Sequence, residues 1–196
     1  MVKENLKPVS PLGAQFLKTA MGADPIFSDG TPQVAFIGRS NVGKSSTLNA
    51  LTGVKKLAIT SATPGRTRGI NIFSWENFYL VDLPGYGYAK LSNKERRRLS
   101  ELIGWYLFND SFSPRLVVQI IDARLGPTPD DLEILKLLEA NERRVLIIAN
   151  KSDKLKAGDR AKIRRLLTTK LGSRPVFFYS AQNGIGIPEI RKEILC

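Results

Sequence analysis

"GRSNVGKS", residues 38–45, follows the apolar run "QVAFIG" at 33–38 and opens a helical stretch at 44–52. A G-x-x-x-x-G-K-[S/T] pattern between a strand and a helix is a phosphate cradle. Gly38 and Gly43 let the backbone wrap closely round phosphate groups, and amides at the helix start point at them. Lys44 reaches the β and γ phosphates, and Ser45 offers its hydroxyl to Mg²⁺. Arg39, Ser40, Asn41 and Val42 complete the turn. The stretch predicts a nucleoside triphosphate site and leaves the base and the purpose open.

Outward from the cradle, apolar runs alternate with amphipathic ones. Strands are expected at 33–38, 70–75, 77–82, 115–122, 143–150 and 175–180. Several are apolar on both faces, as buried parallel strands are. Only Glu76 separates the second from the third, which predicts an antiparallel hairpin. Helices are expected at 44–52, 93–108, 130–141, 159–171 and 187–195; Leu99, Leu102, Ile103, Tyr106 and Leu107 share one face of the second. The alternation predicts a three-layer α/β domain with a mostly parallel sheet of six strands, one of them an antiparallel edge, and ligands at the C-terminal strand ends. Residues 1–32, with Pro8, Pro11, Pro25 and Pro32, read as an N-terminal extension with a short helix around Ala14–Ala20, leaving 33–196 as the domain.

"NKSD", 150–153, ends the fifth expected strand, and "YSAQNG" begins at Tyr179 in the sixth. Asp153 can accept from guanine N1–H and from its exocyclic amine. Adenine has no such amine and an unprotonated N1, and sites built on hydrogen bonds reject the partner that lacks them. Asn150, Lys151 and Ser152 brace and cover the base, and the Ala181 amide beside Ser180 is placed to donate to guanine O6.

Between the first helix and second strand lies "KLAITSATPGRTRG", 56–69, a long polar loop broken by Pro64, Gly65 and Gly69. Loops this long in compact domains are usually functional. Thr67 is the candidate to complete the Mg²⁺ shell and meet the γ-phosphate; Thr60 and Thr63 are its rivals, and Gly65, Arg66, Arg68 and Gly69 flank it. In "VDLPGYGYAK", 81–90, Asp82 would hold Mg²⁺ through a water, and the Gly85 amide, after Leu83 and Pro84, would touch the γ-phosphate. Loops ordered by triphosphate and released on hydrolysis are how such proteins signal. Tyr86 stands where some nucleotidases put a water-orienting Gln, and the chain has no His, so no general base is evident. Tyr86 and Tyr88 either present a surface to a partner or pack.

"GRSNVGKS", "TPGRTRG", "DLPGYGYAK", "NKSD" and "SAQNG", in this order, resemble the bacterial EngB GTPases over nearly the whole chain. "TPGRT" and "DLPGYG" are the specific parts. The resemblance implies a P-loop GTPase fold, slow intrinsic GTP hydrolysis with Lys44, Thr67 and Asn41 catalytic, and Mg²⁺ on Ser45 and Thr67. It also implies cytoplasmic action in assembly of the large ribosomal subunit, and a need for the protein in cell division and septation. Related GTPases use an Asn at the position of Asn41 to hold K⁺ against the phosphates, where its charge stands in for an arginine finger.

Thirty Lys and Arg against eighteen Asp and Glu leave a net charge of +12, which favours polyanionic partners. With the base motifs and the resemblance, the expected partners are GTP or GDP and, as the resemblance implies, rRNA of the large subunit, met by a monomer. "KERRR" at 94–98 is the favoured contact, followed by Arg143, Arg144, Lys162, Arg164, Arg165, Lys170, Arg191 and Lys192. A nucleoside kinase would need an acceptor pocket and an Arg-rich lid, and "NKSD" speaks against it. A septin-like or membrane-surface assembly protein is the other alternative; no apolar run long enough to span a bilayer and no prenylation pattern at Cys196 support it. One cysteine allows no internal disulfide, which fits a reducing compartment.

Overall fold

The computed structural model describes residues 13–59, 69–87, 91–109 and 111–196. Seven strands form one sheet: β1 (Gln15–Ala20), β2 (Gln33–Gly38), β3 (Ile70–Trp75), β4 (Phe78–Asp82), β5 (Leu116–Asp122), β6 (Val145–Asn150) and β7 (Val176–Phe178). Their spatial order is β1-β3-β4-β2-β5-β6-β7. From β4 to β7 every pairing is parallel, and antiparallel pairing is confined to the β1-β3-β4 side. Helices α1 (Lys44–Thr52), α2 (Asn93–Leu107), α3 (Pro129–Ala140), α4 (Ala157–Leu171) and α5 (Ile187–Leu195) cover the two faces.

The period-2 geometry of the strands sorts the core. Val34 and Phe36 of β2 pack with Leu48 and Leu51 of α1 and with Ile190 and Ile194 of α5. Ala35 and Ile37 face the other way, toward Ile103 and Tyr106 of α2 and Leu138 of α3. Further along that face, Ile163, Leu167 and Leu171 of α4 close over Ile147 and Ala149 of β6. The phosphate loop thus leaves the central strand β2, with β4 on one side and β5 on the other.

The helix expected around Ala14–Ala20 is instead β1, which raises the strand count from six to seven. Its five leading residues are exposed and only Ala20 is buried, so it carries no alternation to read. It forms because β3 would otherwise leave a row of backbone groups unpaired at its outer edge. Phe16 lies edge-on to Phe73, with ring centroids 5.5 Å apart. Phe27, in the short turn Pro25–Ser28, packs among Trp105, Tyr106 and Phe112. The β3–β4 hairpin forms as expected, with the turn at Glu76 and Asn77, Glu76 at φ 49° and Trp75 paired with Phe78.

Candidate functional site

The phosphate loop is held open by what it cannot contain. Gly43 has φ 104°, and a Cβ there would stand 2.3 Å from Asn150 Nδ2; a Cβ on Gly38 would stand 2.6 Å from the Ile120 carbonyl. The Lys44 ammonium arches back over the loop and donates to the Gly38 carbonyl at 3.2 Å. Burial pushes this ammonium's pKa down, and the Asp82 carboxylate opposes the shift. Val42 buries its side chain, so its contribution to the cradle is backbone. Asn41 sits exposed at the tip in the left-handed region, φ 63°.

Asp82 ends β4 beside this cradle. It is 3% exposed, yet its Oδ1 has no hydrogen-bond partner. Burial raises its pKa to about 6, with the Lys44 charge and a hydrogen bond to Ser45 pulling the other way. A buried carboxylate oxygen left unpaired beside a serine hydroxyl and a lysine fits the outer shell of a hard cation such as Mg²⁺. The described residues hold no group of three or more His, Cys, Asp or Glu able to bind a metal by themselves.

A raised acid pKa means that the folded state binds the proton more tightly than the unfolded state. Its stability cost grows as pH rises from about 4 to about 6 and is constant above that. Asp82→Asn is therefore expected to melt higher than wild type at pH 7.5 in EDTA without nucleotide. The gain should be up to about 3 kcal/mol, or roughly 5–10 °C for a chain this long, narrowing as pH falls from about 6 toward 4. Thermal melts across that range test it, and a lower melting point for the variant at pH 7.5 would contradict it.

The base motifs are stapled to the phosphate loop. Asn150 donates through Nδ2 to the Val42 carbonyl at 2.9 Å, and its Oδ1 accepts from the amides of Lys151 and Ala181. The Ala181 amide, expected to face guanine O6, therefore has a protein partner at 3.2 Å. Lys151, itself left-handed at φ 67°, donates from Nζ to the Asn41 carbonyl at 2.8 Å and to Asp122 at 3.0 Å. The Ser152 amide donates to the Tyr179 carbonyl, which joins the two base motifs. Tyr179 is otherwise a core residue, its hydroxyl against Thr47. Ser180 uses its Oγ to hold the amides of Gln182 and Asn183. Asp153 is exposed in the short turn Ser152–Lys154.

In the loop after β4, Leu83 and Pro84 are buried and the Leu83 amide donates to the Phe36 carbonyl. The Tyr86 carbonyl accepts from the Ser40 amide at 3.0 Å, and a Cβ on Gly85 would stand 2.8 Å from Ser40 Oγ. Between the two options open for Tyr86, the structure shows packing: its hydroxyl donates to Asp131 at 2.6 Å. Gly69 is buried where β3 begins, against the end of β1. Gly65, Arg66, Thr67 and Arg68, the rivals Thr60 and Thr63, and Tyr88 lie outside the described residues.

Sequence reasoning missed Asp122, the last residue of β5. Burial pushes its carboxyl up, but Arg124 and Lys151 outweigh this and hold it at about 2. It keeps Lys151 over the phosphate loop. The signal was present: a carboxylate closing the apolar run "RLVVQIID" needs a cation.

The comparisons place this geometry among known proteins. Residues 33–151 match a family model described as 50S ribosome-binding GTPase. The chain is 41% identical to a probable GTP-binding protein EngB of Myxococcus xanthus over 193 residues, covering 93% of each chain. It resembles the crystal structure of a probable GTP-binding protein engB with TM-score 0.69 at 24% identity, over 83% of this chain and 96% of the other. It also resembles Era in complex with MgGDPNP and nucleotides 1506–1542 of 16S ribosomal RNA, with TM-score 0.66 at 27% identity, over 84% of this chain and 55% of the other.

Proposed function

The chain belongs to the EngB family of GTP-binding proteins and is a GTPase; from that premise we propose that it acts as a cytoplasmic, monomeric switch in assembly of the large ribosomal subunit, with cell division and septation depending on that work. The observation that carries the proposal is the position of a basic surface. Lys94, Arg96, Arg97 and Arg98 lie exposed in the first turns of α2, a few residues after the loop that meets the phosphates. Arg96 is tied to Asn93, and the Arg97–Glu101 pair is solvent-exposed and worth little. Lys94 and Arg98 pair with no other described residue.

Several other candidates are occupied by the fold. Arg143 bonds Leu107 and Ser113, and Lys170 bonds Pro127. Arg164 lies over Phe178, and Arg191 over Trp75 beside Glu76. Arg144, Lys162, Arg165 and Lys192 remain exposed. Among the described residues no helix is long and apolar enough to cross a membrane. Reversing the charge of Lys94, Arg97 and Arg98 together to Glu is expected to abolish binding to large subunits while GTP hydrolysis in the absence of ribosomes stays within twofold. Equal binding by the triple variant would remove α2 as the contact.

We take 33–196 as the GTPase domain and 1–32 as its extension, whose β1 closes the sheet edge. In the nucleotide site, Lys44 holds the β and γ phosphates, Ser45 and Thr67 ligate Mg²⁺, and Asp82 orients its outer shell. Bound there, Mg²⁺ would supply positive charge that offsets the negative charge on the phosphate oxygens in the transition state. The Gly85 amide meets the γ-phosphate and Asp153 reads guanine, with Asn150 and Lys151 holding the loops that frame it. Asn41 at the exposed tip presents its side chain to K⁺. Hydrolysis is therefore expected to run roughly tenfold faster in potassium than in sodium, and Asn41→Ala to erase the difference. Equal wild-type rates in the two salts would end the role of Asn41.

A further inference from the structure

Among the buried polar side chains to which the nucleotide site assigns no role are Gln119 of β5, 1% exposed, and Asp131 of α3, 3% exposed. Burying such groups is costly unless each is paired. Their pairing converges on the loop after β4. Asp131 accepts the Tyr86 hydroxyl on Oδ1, while its Oδ2 accepts from the Thr128 amide and hydroxyl and closes the cap of α3. Gln119 donates to the Asp131 carbonyl at 2.7 Å and so braces the residue that takes the Tyr86 hydroxyl. Burial pushes the Tyr86 hydroxyl well above its usual range, so it stays a neutral donor.

The backbone of the same residue grips the phosphate loop. Arg39 and Tyr86 form a parallel bridge, and the Tyr86 carbonyl takes the Ser40 amide. The preceding residue, Gly85, is pressed so close that a Cβ would stand 3.0 Å from Ser40 N. On its outer side, the loop borders a cavity of about 540 Å³ between α2 and α3. The Tyr86 ring packs against the cluster that includes Ile103 and Leu107 of α2 and Leu138 of α3, and its hydroxyl adds a directional tie to α3.

We propose that Tyr86, anchored by an Asp131 that Gln119 braces, is a positioning residue that seats Gly85 against the phosphate loop, ready for the γ-phosphate of GTP. This rests on the assignment of the Gly85 amide to that phosphate. The residue standing where other nucleotidases put a Gln thus turns its side chain to α3 and works through its neighbour's backbone. Because Gly85 meets the γ-phosphate alone, the anchor acts on triphosphate and leaves diphosphate untouched.

Tyr86→Phe deletes the hydroxyl and keeps the ring. Dissociation constants for GDP and for a non-hydrolysable GTP analogue, both with Mg²⁺, are measured with melting curves and single-turnover hydrolysis. The variant is expected to bind the analogue roughly tenfold more weakly and hydrolyse GTP more slowly, with GDP affinity within twofold. Asp131→Ala, which removes the acceptor, should show the same selective loss, with a lower melting temperature because α3 also loses its capping carboxylate. Folded variants whose two affinities are unchanged, or fall together, overturn the proposal. Wild type that binds neither nucleotide would instead sink the site assignment on which the proposal rests.

Discussion

Asp153→Asn is expected to exchange guanine for xanthine. A carboxylate accepts from guanine N1–H and from its exocyclic amine, and each hydrogen bond to a charged group is worth about 1.5–3 kcal/mol. Losing the fit of both lowers GTP affinity on the order of 10²–10⁴-fold. Xanthine carries a carbonyl where guanine has the amine, so an Asn amide donates to it and still accepts from N1–H. Xanthosine triphosphate affinity should rise as GTP affinity falls. The setting supports this: Asp153 is exposed in a turn whose Ser152 amide is tied to Tyr179, and Asn150 and Lys151 do the bracing. The substitution thus changes recognition without touching the frame. Competition titrations with the two triphosphates report it; an unchanged preference for GTP would remove Asp153 from base recognition.

Gly43→Ala should cost both folding and binding. The position has φ 104°, where an L side chain is strained by about 1–3 kcal/mol. The new Cβ would also meet Asn150 Nδ2 at 2.3 Å, and that nitrogen is the staple from β6 to the Val42 carbonyl. Pushing Asn150 away releases the phosphate loop from the base motifs together with the Ala181 amide. Nucleotide affinity is expected to fall roughly 100-fold and stability by about 2–4 kcal/mol. Gly53→Ala is the control: Gly53 is also left-handed, at φ 73°, but no atom lies within 4 Å of its added Cβ. It should lower the melting temperature slightly and leave nucleotide binding alone. If Gly43→Ala binds nucleotide as Gly53→Ala does, the staple has no functional weight.

What was legible in the chain was local. The phosphate loop needs Gly38, Gly43 and Lys44 at fixed spacing because backbone amides do the binding, so the pattern survives on paper. Strands β2 and β5 are buried on both faces, and their apolar runs, broken in β5 only by Gln119, announce this. β1 was illegible because it is an edge with one buried residue; its pairing with β3 lies in a partner about fifty residues away. The same holds for the Tyr86 anchor. Gln119, Asp131 and Tyr86 sit in three separate elements, and the sheet order brings them together. A polar residue set in an apolar run was the available clue, Gln119 inside it and Asp122 at its end, but its partner had to be found in space.

The central claim is that a guanine-nucleotide switch presents its basic surface to the large ribosomal subunit in one nucleotide state. Co-sedimentation of the full chain with purified 50S and 30S subunits tests it most directly, with GDP or a non-hydrolysable GTP analogue, at low and physiological salt. The account predicts binding to 50S that requires the analogue and persists at physiological salt, with little on 30S. Binding to both subunits that ignores the nucleotide and vanishes with salt would contradict it, reducing the +12 charge to nonspecific attraction.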